Sequence, residues 1–177
     1  MIALRRMLTW PKRRWRGGGF GIHSPFAYAM VTEALCKKGA AGHEAELAAL
    51  ECLDKHFAAT MCRCIEHLKP RSIAIVADSG AAKRTIGSII REIDRSIAIV
   101  DNGKADMAIV DSQSGKPVIA DEADTILISR VDKEPMRSLW HSLTFASERG
   151  MDFSDYRIGL LCRYAHLPRQ SFKIVIK

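Results

Sequence analysis

Apolar positions in the second half of the chain form short unbroken runs, separated by stretches in which they recur every three or four residues. The runs are Ile73–Val76, Ile97–Val100, Met107–Val110 and Thr125–Ser129. Unbroken apolar runs of this length are typical of strands that are buried on both faces. Between the first two runs, isoleucines recur at helical spacing, and Pro135 opens a second helical pattern. This alternation predicts an α/β domain with a mostly parallel sheet.

Two further apolar runs close the chain, Arg157–Cys162 and Phe172–Ile176. The short segment between them has no helical pattern. A parallel crossover needs a dozen or more residues, so these two strands are expected to pair antiparallel.

The first half of the chain is helical in pattern. Ser24 and Pro25 predict a helix start, with the helix running to about Lys38. Apolar residues at steps of three and four from Leu47 to Leu68 predict one long amphipathic helix, ended by Pro70. We therefore expect a single domain over 19–177, with a helical lead-in at 19–70 and a sheet core at 71–177.

Positive charge is concentrated in a basic N-terminal arm, residues 1–18, ahead of a glycine-rich stretch. The net charge is +7, and six positive residues without an acid among them precede residue 17, which leaves the remainder at +1. A nearly neutral body does not indicate a broad phosphate-binding face. The six are Arg5, Arg6, Lys12, Arg13, Arg14 and Arg16.

Three interpretations of this arm stay open. Trp10 and Trp15 among the arginines suit an interfacial helix on an anionic membrane, or an arm that contacts RNA. Alternatively, the arm is a solvated tail whose tryptophans pack back on the domain. We expect residues 1–16 to make few contacts with the domain and to account for any affinity for polyanions.

The five cysteines are most simply reduced core thiols of a cytoplasmic protein, because the count is odd and most occupy apolar helical positions. Cys62 and Cys64 point about 200° apart around a helix, which excludes their holding one metal ion together. No apolar run approaches the ~20 residues of a membrane span. The first residues lack the apolar core of a secretory signal.

Two stretches carry a resemblance to a known family: GFGIHSPFAY, which begins at Gly19, and the segment from Trp140 through GMDFSDYRIGLL to Ile174. Together they resemble a bacterial family of small S-adenosylmethionine-dependent methyltransferase-like proteins of the Rossmann-like class I kind. The resemblance implies a mostly parallel sheet with an antiparallel final strand. It also implies S-adenosylmethionine as cofactor and methyl transfer to an oxygen or nitrogen nucleophile.

The family's first strand ends in an E/D-x-G-x-x-x-G turn, and this chain departs from it. Ile75 stands at the position of the acid, and Ala77 and Ala81 replace glycines that allow the backbone to approach the cofactor. Two interpretations remain for the three residues that follow the strand, which are Asp78, Ser79 and Gly80. They form either a shifted substitute for the cofactor turn or an ordinary strand-to-helix connection.

Two later carboxylates match positions of the family. Asp101 follows the second strand, where the resemblance implies an acid on the ribose hydroxyls. Asp111 ends the third strand and is expected to line the mouth of the active site. In the next strand, however, the family's acidic pair is replaced by Ser129 and Arg130, which argues against a metal or general-base role there.

Only four residues separate Asp101 from Asp106, where the family has a helix, a strand and another helix. The chain is expected either to turn back in a hairpin at Asn102 and Gly103 or to run as a loop beneath the sheet. In both cases half of the usual cofactor pocket is missing.

A lid is the last candidate feature. His23, with Phe26 and Tyr28, either covers the cofactor side or simply enters a helix with backbone hydrogen bonds. Taken together, the sequence predicts a shortened methyltransferase-like protein with weakened or lost S-adenosylmethionine binding. The alternative is a non-catalytic scaffold or binding protein that contacts RNA or an anionic membrane through its basic arm.

Overall fold

The computed structural model describes residues 6–37, 53–101, 104–112 and 122–177. Helices before the sheet are α1 (Trp10–Arg16), α2 (Pro25–Ala29), a π-helical continuation at Met30–Leu35, and α3 (Lys55–Leu68). Strand β1 (Ser72–Ala77) and helix α4 (Gly80–Ile93) follow, then β2 (Ala98–Val100), β3 (Met107–Asp111), β4 (Thr125–Ile128) and helix α5 (Met136–Ala146). The chain ends with β5 (Met151–Ser154), β6 (Gly159–Cys162) and β7 (Gln170–Lys173).

These strands form one seven-stranded sheet in the order β2-β1-β3-β4-β6-β5-β7. Among the described strands, β6 runs antiparallel to both of its neighbours, β4 and β5, and every other pairing is parallel. The expectation of an α/β domain with a mostly parallel sheet is therefore confirmed.

The central strands bury both of their faces. In β1, Ile73 and Ile75 point into a core shared with α2, α3 and α4, whereas Ala74 points into a second core beneath α5. In β3, Ile109 points into the first of these cores and Val110 points into the second. Helices thus cover both faces of the sheet, which is why the strands appear in the sequence as unbroken apolar runs.

The two closing strands run in opposite directions, as expected, but the expectation that they pair with each other is wrong. Strand β5 lies between β6 and β7, antiparallel to the first and parallel to the second. The final strand is therefore parallel to most of the sheet, and the strand before it is the antiparallel one. Sequence reasoning missed β5 because Asp152 and Ser154 break its apolar pattern, although both side chains are buried.

A hairpin between β2 and β3 is also excluded. Strand β1 pairs with β2 on one side and with β3 on the other, and both pairings are parallel. The chain is back at the amino-terminal end of β1 by Asp106, whose backbone N–H donates to the Ser72 hydroxyl and whose carboxylate accepts from the Arg71 backbone N–H. Asn102 and Gly103, the proposed turn, lie outside the described residues.

Two helix boundaries differ from expectation. Helix α3 begins at Lys55 because the Asp54 carboxylate caps it by accepting from the Phe57 backbone N–H at 2.9 Å. Leu53 is buried but lies before the helix, and Leu47 lies outside the described residues. The helical segment that starts at Pro25 ends at Leu35, and Ser24 caps it as predicted.

The N-terminal arm is not loosely attached. The Arg13 side chain is buried against the end of β7, and the Arg6 guanidinium lies 3.6 Å from the buried carboxylate of Asp155. The expectation of few contacts is therefore wrong for the described part of the arm.

Candidate functional site

The carboxyl-terminal ends of β1, β3 and β4 meet at one edge of the sheet, because these strands are parallel and in register. Ala77 at the end of β1 pairs with Asp111 at the end of β3, and Val110 pairs with Ile128 at the end of β4. Asp78 and Asp111 therefore lie at this edge, which we call the carboxyl edge. Asp101 follows β2, whose last residue, Val100, pairs with Ala74 of β1.

Asp111 is the most buried of these acids. Its side chain is 4% exposed, accepts a 2.5 Å hydrogen bond from the Ser129 hydroxyl, and lies 3.4 Å from the Arg130 guanidinium. The backbone of Arg130 is left-handed, with φ +57°, which turns the chain as it leaves β4. Ser129 and Arg130 thus satisfy the Asp111 carboxylate.

Asp78 and Ser79, which connect β1 to α4, both form side-chain hydrogen bonds. The Ser112 hydroxyl donates to the Asp78 carboxylate at 2.5 Å. The Ser79 hydroxyl accepts from the Ala82 backbone N–H at 3.0 Å and so caps α4. These contacts are those of an ordinary strand-to-helix connection.

Asp101 stands on the edge strand β2, and its side chain is 74% exposed. The Lys83 ammonium on α4 donates to it at 2.6 Å, and this hydrogen bond together with the lysine charge lowers the pKa of the Asp101 carboxyl. The position expected to hold ribose hydroxyls is therefore engaged by a lysine of the same chain.

The described residues at the carboxyl edge do not fit S-adenosylmethionine. A Cβ added to Gly80 would meet only the tip of Arg84, at 3.4 Å, so no protein atom of this turn requires glycine. Ile75, at the position of the family's acid, is 5% exposed and belongs to the core. The acid that the cofactor's amine needs is thus absent there, and Asp78 and Asp101 already have partners.

The proposed lid lies at the opposite edge of the sheet. Phe26 packs edge-on against Tyr164, with ring centroids 5.7 Å apart, and Tyr164 shares a 3.0 Å hydrogen bond with Thr125 at the start of β4. His23 and Tyr28 flank Phe26 in sequence and are exposed. Phe26 therefore lies near the start of β4, away from the carboxyl edge, and the role of His23, Phe26 and Tyr28 as a lid stays a prediction.

Sequence reasoning missed a polar cavity of about 190 Å³ beside the carboxyl edge. It lies between the start of α3 and the turns after β4 and before β6, and its lining includes Asp54, His56, Arg130, Lys133 and Arg157. These residues are far apart in sequence and share no motif. The one sequence signal for this cavity was Asp54, which is a residue type that caps helices. A helix capped by Asp54 has His56 in its first turn.

Of the side chains that line this cavity, His56 is the one whose ordinary pKa, 6.5, lies near neutral pH. Its Nε2 lies 4.0 Å from the Asp155 carboxylate. Burial lowers the pKa of the imidazole, opposed by the negative charges of Asp155 and Asp54 and reinforced by Arg63 and Arg157. The cavity therefore holds opposing charges around an imidazole for which burial favours the neutral form.

Comparison of the chain with protein-family models, with curated proteins and with solved structures finds no match in any of the three. Within the described ranges, no three His, Cys, Asp or Glu side chains are grouped so that they could hold a metal ion. The helices of the described part of the chain include none that is long and apolar enough to cross a membrane.

Proposed function

We propose that this protein is a shortened member of the Rossmann-like class I methyltransferase-like proteins that has weak or no affinity for S-adenosylmethionine and serves as a binding scaffold. The mostly parallel sheet, its antiparallel strand near the C-terminus and the helices ahead of β1 support the fold part of this proposal. The resemblance at both ends of the sequence supports it independently.

The observation that carries the proposal is the short path between β2 and β3. These strands lie on either side of β1, and residues 101–106 alone join them. The family places a helix, a strand and another helix in this interval, and these elements form much of the adenosine pocket. A path of six residues has no room for them, so β2 stands at the edge of the sheet.

The first strand also lacks a hydrogen-bond acceptor for the cofactor. Ile75 has no group that accepts a hydrogen bond from the cofactor's amine. A buried donor without a partner costs on the order of 1–3 kcal/mol, or about 10–100-fold in affinity. We expect S-adenosylmethionine to bind more weakly than about 100 μM, which is too weak for a working methyltransferase.

Isothermal titration with S-adenosylmethionine and S-adenosylhomocysteine tests this proposal. We expect no saturable low-micromolar binding by the wild type. Low-micromolar affinity that Asp101→Ala abolishes would overturn the scaffold proposal and restore a cofactor site. Asp94→Ala is the matched control, because Asp94 is an exposed carboxylate at the far end of α4 that accepts hydrogen bonds from Ser96.

A second variant tests the ion pair between Lys83 and Asp101. Lys83→Ala frees the Asp101 carboxylate without changing β1 or the path between β2 and β3. If the lysine alone blocked a complete pocket, this variant would gain tight binding. We expect it to remain as weak as the wild type, because the missing elements of the pocket are not restored.

A further inference from the structure

Helix α1 is docked through one arginine, and its large apolar side chains face solvent. The buried residue on this helix is Arg13, which is 2% exposed. The large apolar side chains of the same region are exposed to between 48% and 70%: Met7, Leu8, Trp10, Trp15 and Phe20. We call these five residues the N-terminal patch. Exposed apolar side chains grouped in this way mark an interaction surface.

The patch spans α1 and the residues on either side of it. Thr9 precedes α1, and its carbonyl accepts from the Arg13 backbone N–H at 3.0 Å. At 100° per residue along α1, Trp15 falls on the side opposite to Arg13, and Trp10 lies about 60° from Arg13. Met7 and Leu8 come just before this helix and are exposed. The Phe20 ring stacks on Trp15, with centroids 5.4 Å apart, and continues the same surface beyond the helix.

Positive charges border the patch. Lys12 and Arg14 are exposed and Arg16 is half-buried, and no described carboxylate lies within ion-pair distance of any of the three. Arg14 lies over the Trp10 ring at 5.5 Å. The first acid of the whole sequence is Glu33. An anionic partner would therefore meet uncompensated positive charge around an apolar centre.

We propose that the N-terminal patch docks this protein on the surface of an anionic lipid bilayer. Apolar side chains and tryptophans on one face, bordered by lysine and arginine, are the features of interfacial helices that lie in the plane of a membrane. The apolar centre enters the boundary between headgroups and acyl chains. The cations contact lipid phosphates, and each contributes about fivefold to binding.

The composition of the patch favours lipid over RNA. Met7 and Leu8 have no ring on which a base could stack, and Trp15 already has Phe20 against one face. Burial in an acyl layer uses all five side chains, whereas stacking would use at most the aromatic ones.

The docked side of α1 makes this surface a rigid platform. Arg13 fixes the helix to the carbonyl oxygens of Ile174 and Asp155, so the patch is presented in one orientation before any membrane is met. A preformed helix has no folding cost to offset on binding. Deleting the arm would also remove Arg13 and disturb the domain, so point variants are the appropriate test.

Co-sedimentation with two vesicle types tests the proposal: phosphatidylcholine alone, and equimolar phosphatidylcholine and phosphatidylglycerol. We expect the full chain to bind the anionic vesicles, with binding that weakens as salt increases. Quenching by brominated acyl chains should reach Trp10 and Trp15 but not Trp140, a buried residue of α5.

Two variants separate the parts of the patch. Leu8→Ser with Trp15→Ser removes the apolar centre and should abolish quenching, whereas Phe145→Ser, at an equally apolar but distant exposed site, should change nothing. Replacing Lys12, Arg14 and Arg16 by alanine should weaken binding on the order of 100-fold. The matched charge control replaces the exposed Arg84, Arg91 and Arg95 by alanine.

Three outcomes would overturn the proposal. The first is equal loss of binding in the patch variants and in their controls. The second is binding to a single-stranded polyuridine probe that Trp15→Ser removes while anionic vesicles stay unbound, which would assign the patch to RNA. The third is a dimer in solution that becomes monomeric on Trp15→Ser, with no vesicle binding, which would assign the patch to a second copy of this chain.

Discussion

Arg13 donates two hydrogen bonds to the carbonyl oxygen of Ile174, from Nε at 3.0 Å and from Nη2 at 2.8 Å, across 161 residues of sequence. Nη2 also donates to the Asp155 carbonyl at 3.0 Å, and the guanidinium lies 5.0 Å from the centre of the Tyr156 ring. One side chain thus ties the first described helix to the ends of β5 and β7. Burial lowers the pKa of this guanidinium, but the Asp155 charge opposes that effect.

We expect Arg13→Lys to destabilise the protein by about 2–4 kcal/mol, because a lysine cannot reproduce the planar fork and leaves buried carbonyl oxygens without donors. Urea unfolding followed by circular dichroism measures the change. Arg14→Lys is the control, since Arg14 is exposed one position further along the same helix. Equal stability of the two variants would contradict the structural role given to Arg13.

The sequence does not distinguish Arg13 from Arg14. Both stand in one basic run, and only the docking direction of α1 decides which of them is buried. That direction depends on acceptors at Asp155 and Ile174, far along the chain. Composition predicted the charge of the arm correctly, but it could not predict that one arginine would be part of the core.

The central strands could be predicted, because burial on both faces leaves an unbroken apolar run. The same criterion failed for β5, because a charged residue, Asp152, is buried in this strand. Its carboxylate lies 2.8 Å from the Arg169 guanidinium. At the candidate site, Asp78 and Asp111 were proposed from their places after predicted strands, and the register of β1 and β3 brings them to one edge. The partners of Asp78 and Asp101, Ser112 and Lys83, were not predicted, since side-chain pairing across strands and helices has no local signal.

His56 should make stability depend on pH. Burial lowers its pKa below the ordinary value of 6.5, so the unfolded chain takes up a proton more readily than the folded one. The contribution of His56 is therefore fully present above pH 6.5 and is lost as the pH falls below that value. Unfolding free energies of the wild type and His56→Gln, measured across this interval, should converge toward lower pH.

The control for that comparison is His141→Gln, which removes an exposed imidazole on α5. Parallel curves for the wild type and His56→Gln would contradict a buried neutral imidazole.

The four described cysteines should be unreactive in the folded protein. Burial raises the pKa of the Cys36 thiol to about 11 and those of Cys62 and Cys64 to about 12, and it raises the pKa of Cys162 further. The thiolate is the nucleophile, so almost none is present at neutral pH. Iodoacetamide labelling read by peptide mass spectrometry should modify these sites only after denaturation.

Rapid labelling of any of these four sites in the native protein would contradict the burial. Cys52 lies outside the described residues and is read as a separate peptide. The denatured sample provides the control, because it shows that each thiol is present in reduced form and can be alkylated.

Gly80 and Gly150 should respond in opposite ways to alanine. A Cβ at Gly150, where φ is +94°, would overlap the Cys162 carbonyl oxygen and lie 2.9 Å from the Arg163 Cα, so Gly150→Ala should cost about 3 kcal/mol or more. At Gly80 the nearest contact is the flexible tip of Arg84, and the residue opens α4. Gly80→Ala should therefore stabilise the protein by about 0.5 kcal/mol.

In a turn whose glycine lies against a bound cofactor, the same methyl group would obstruct the ligand. Thermal unfolding of both variants, with and without S-adenosylmethionine, checks the two expectations together. A cofactor-induced rise in the melting temperature of the wild type that Gly80→Ala removes would show that the turn after β1 still binds the cofactor.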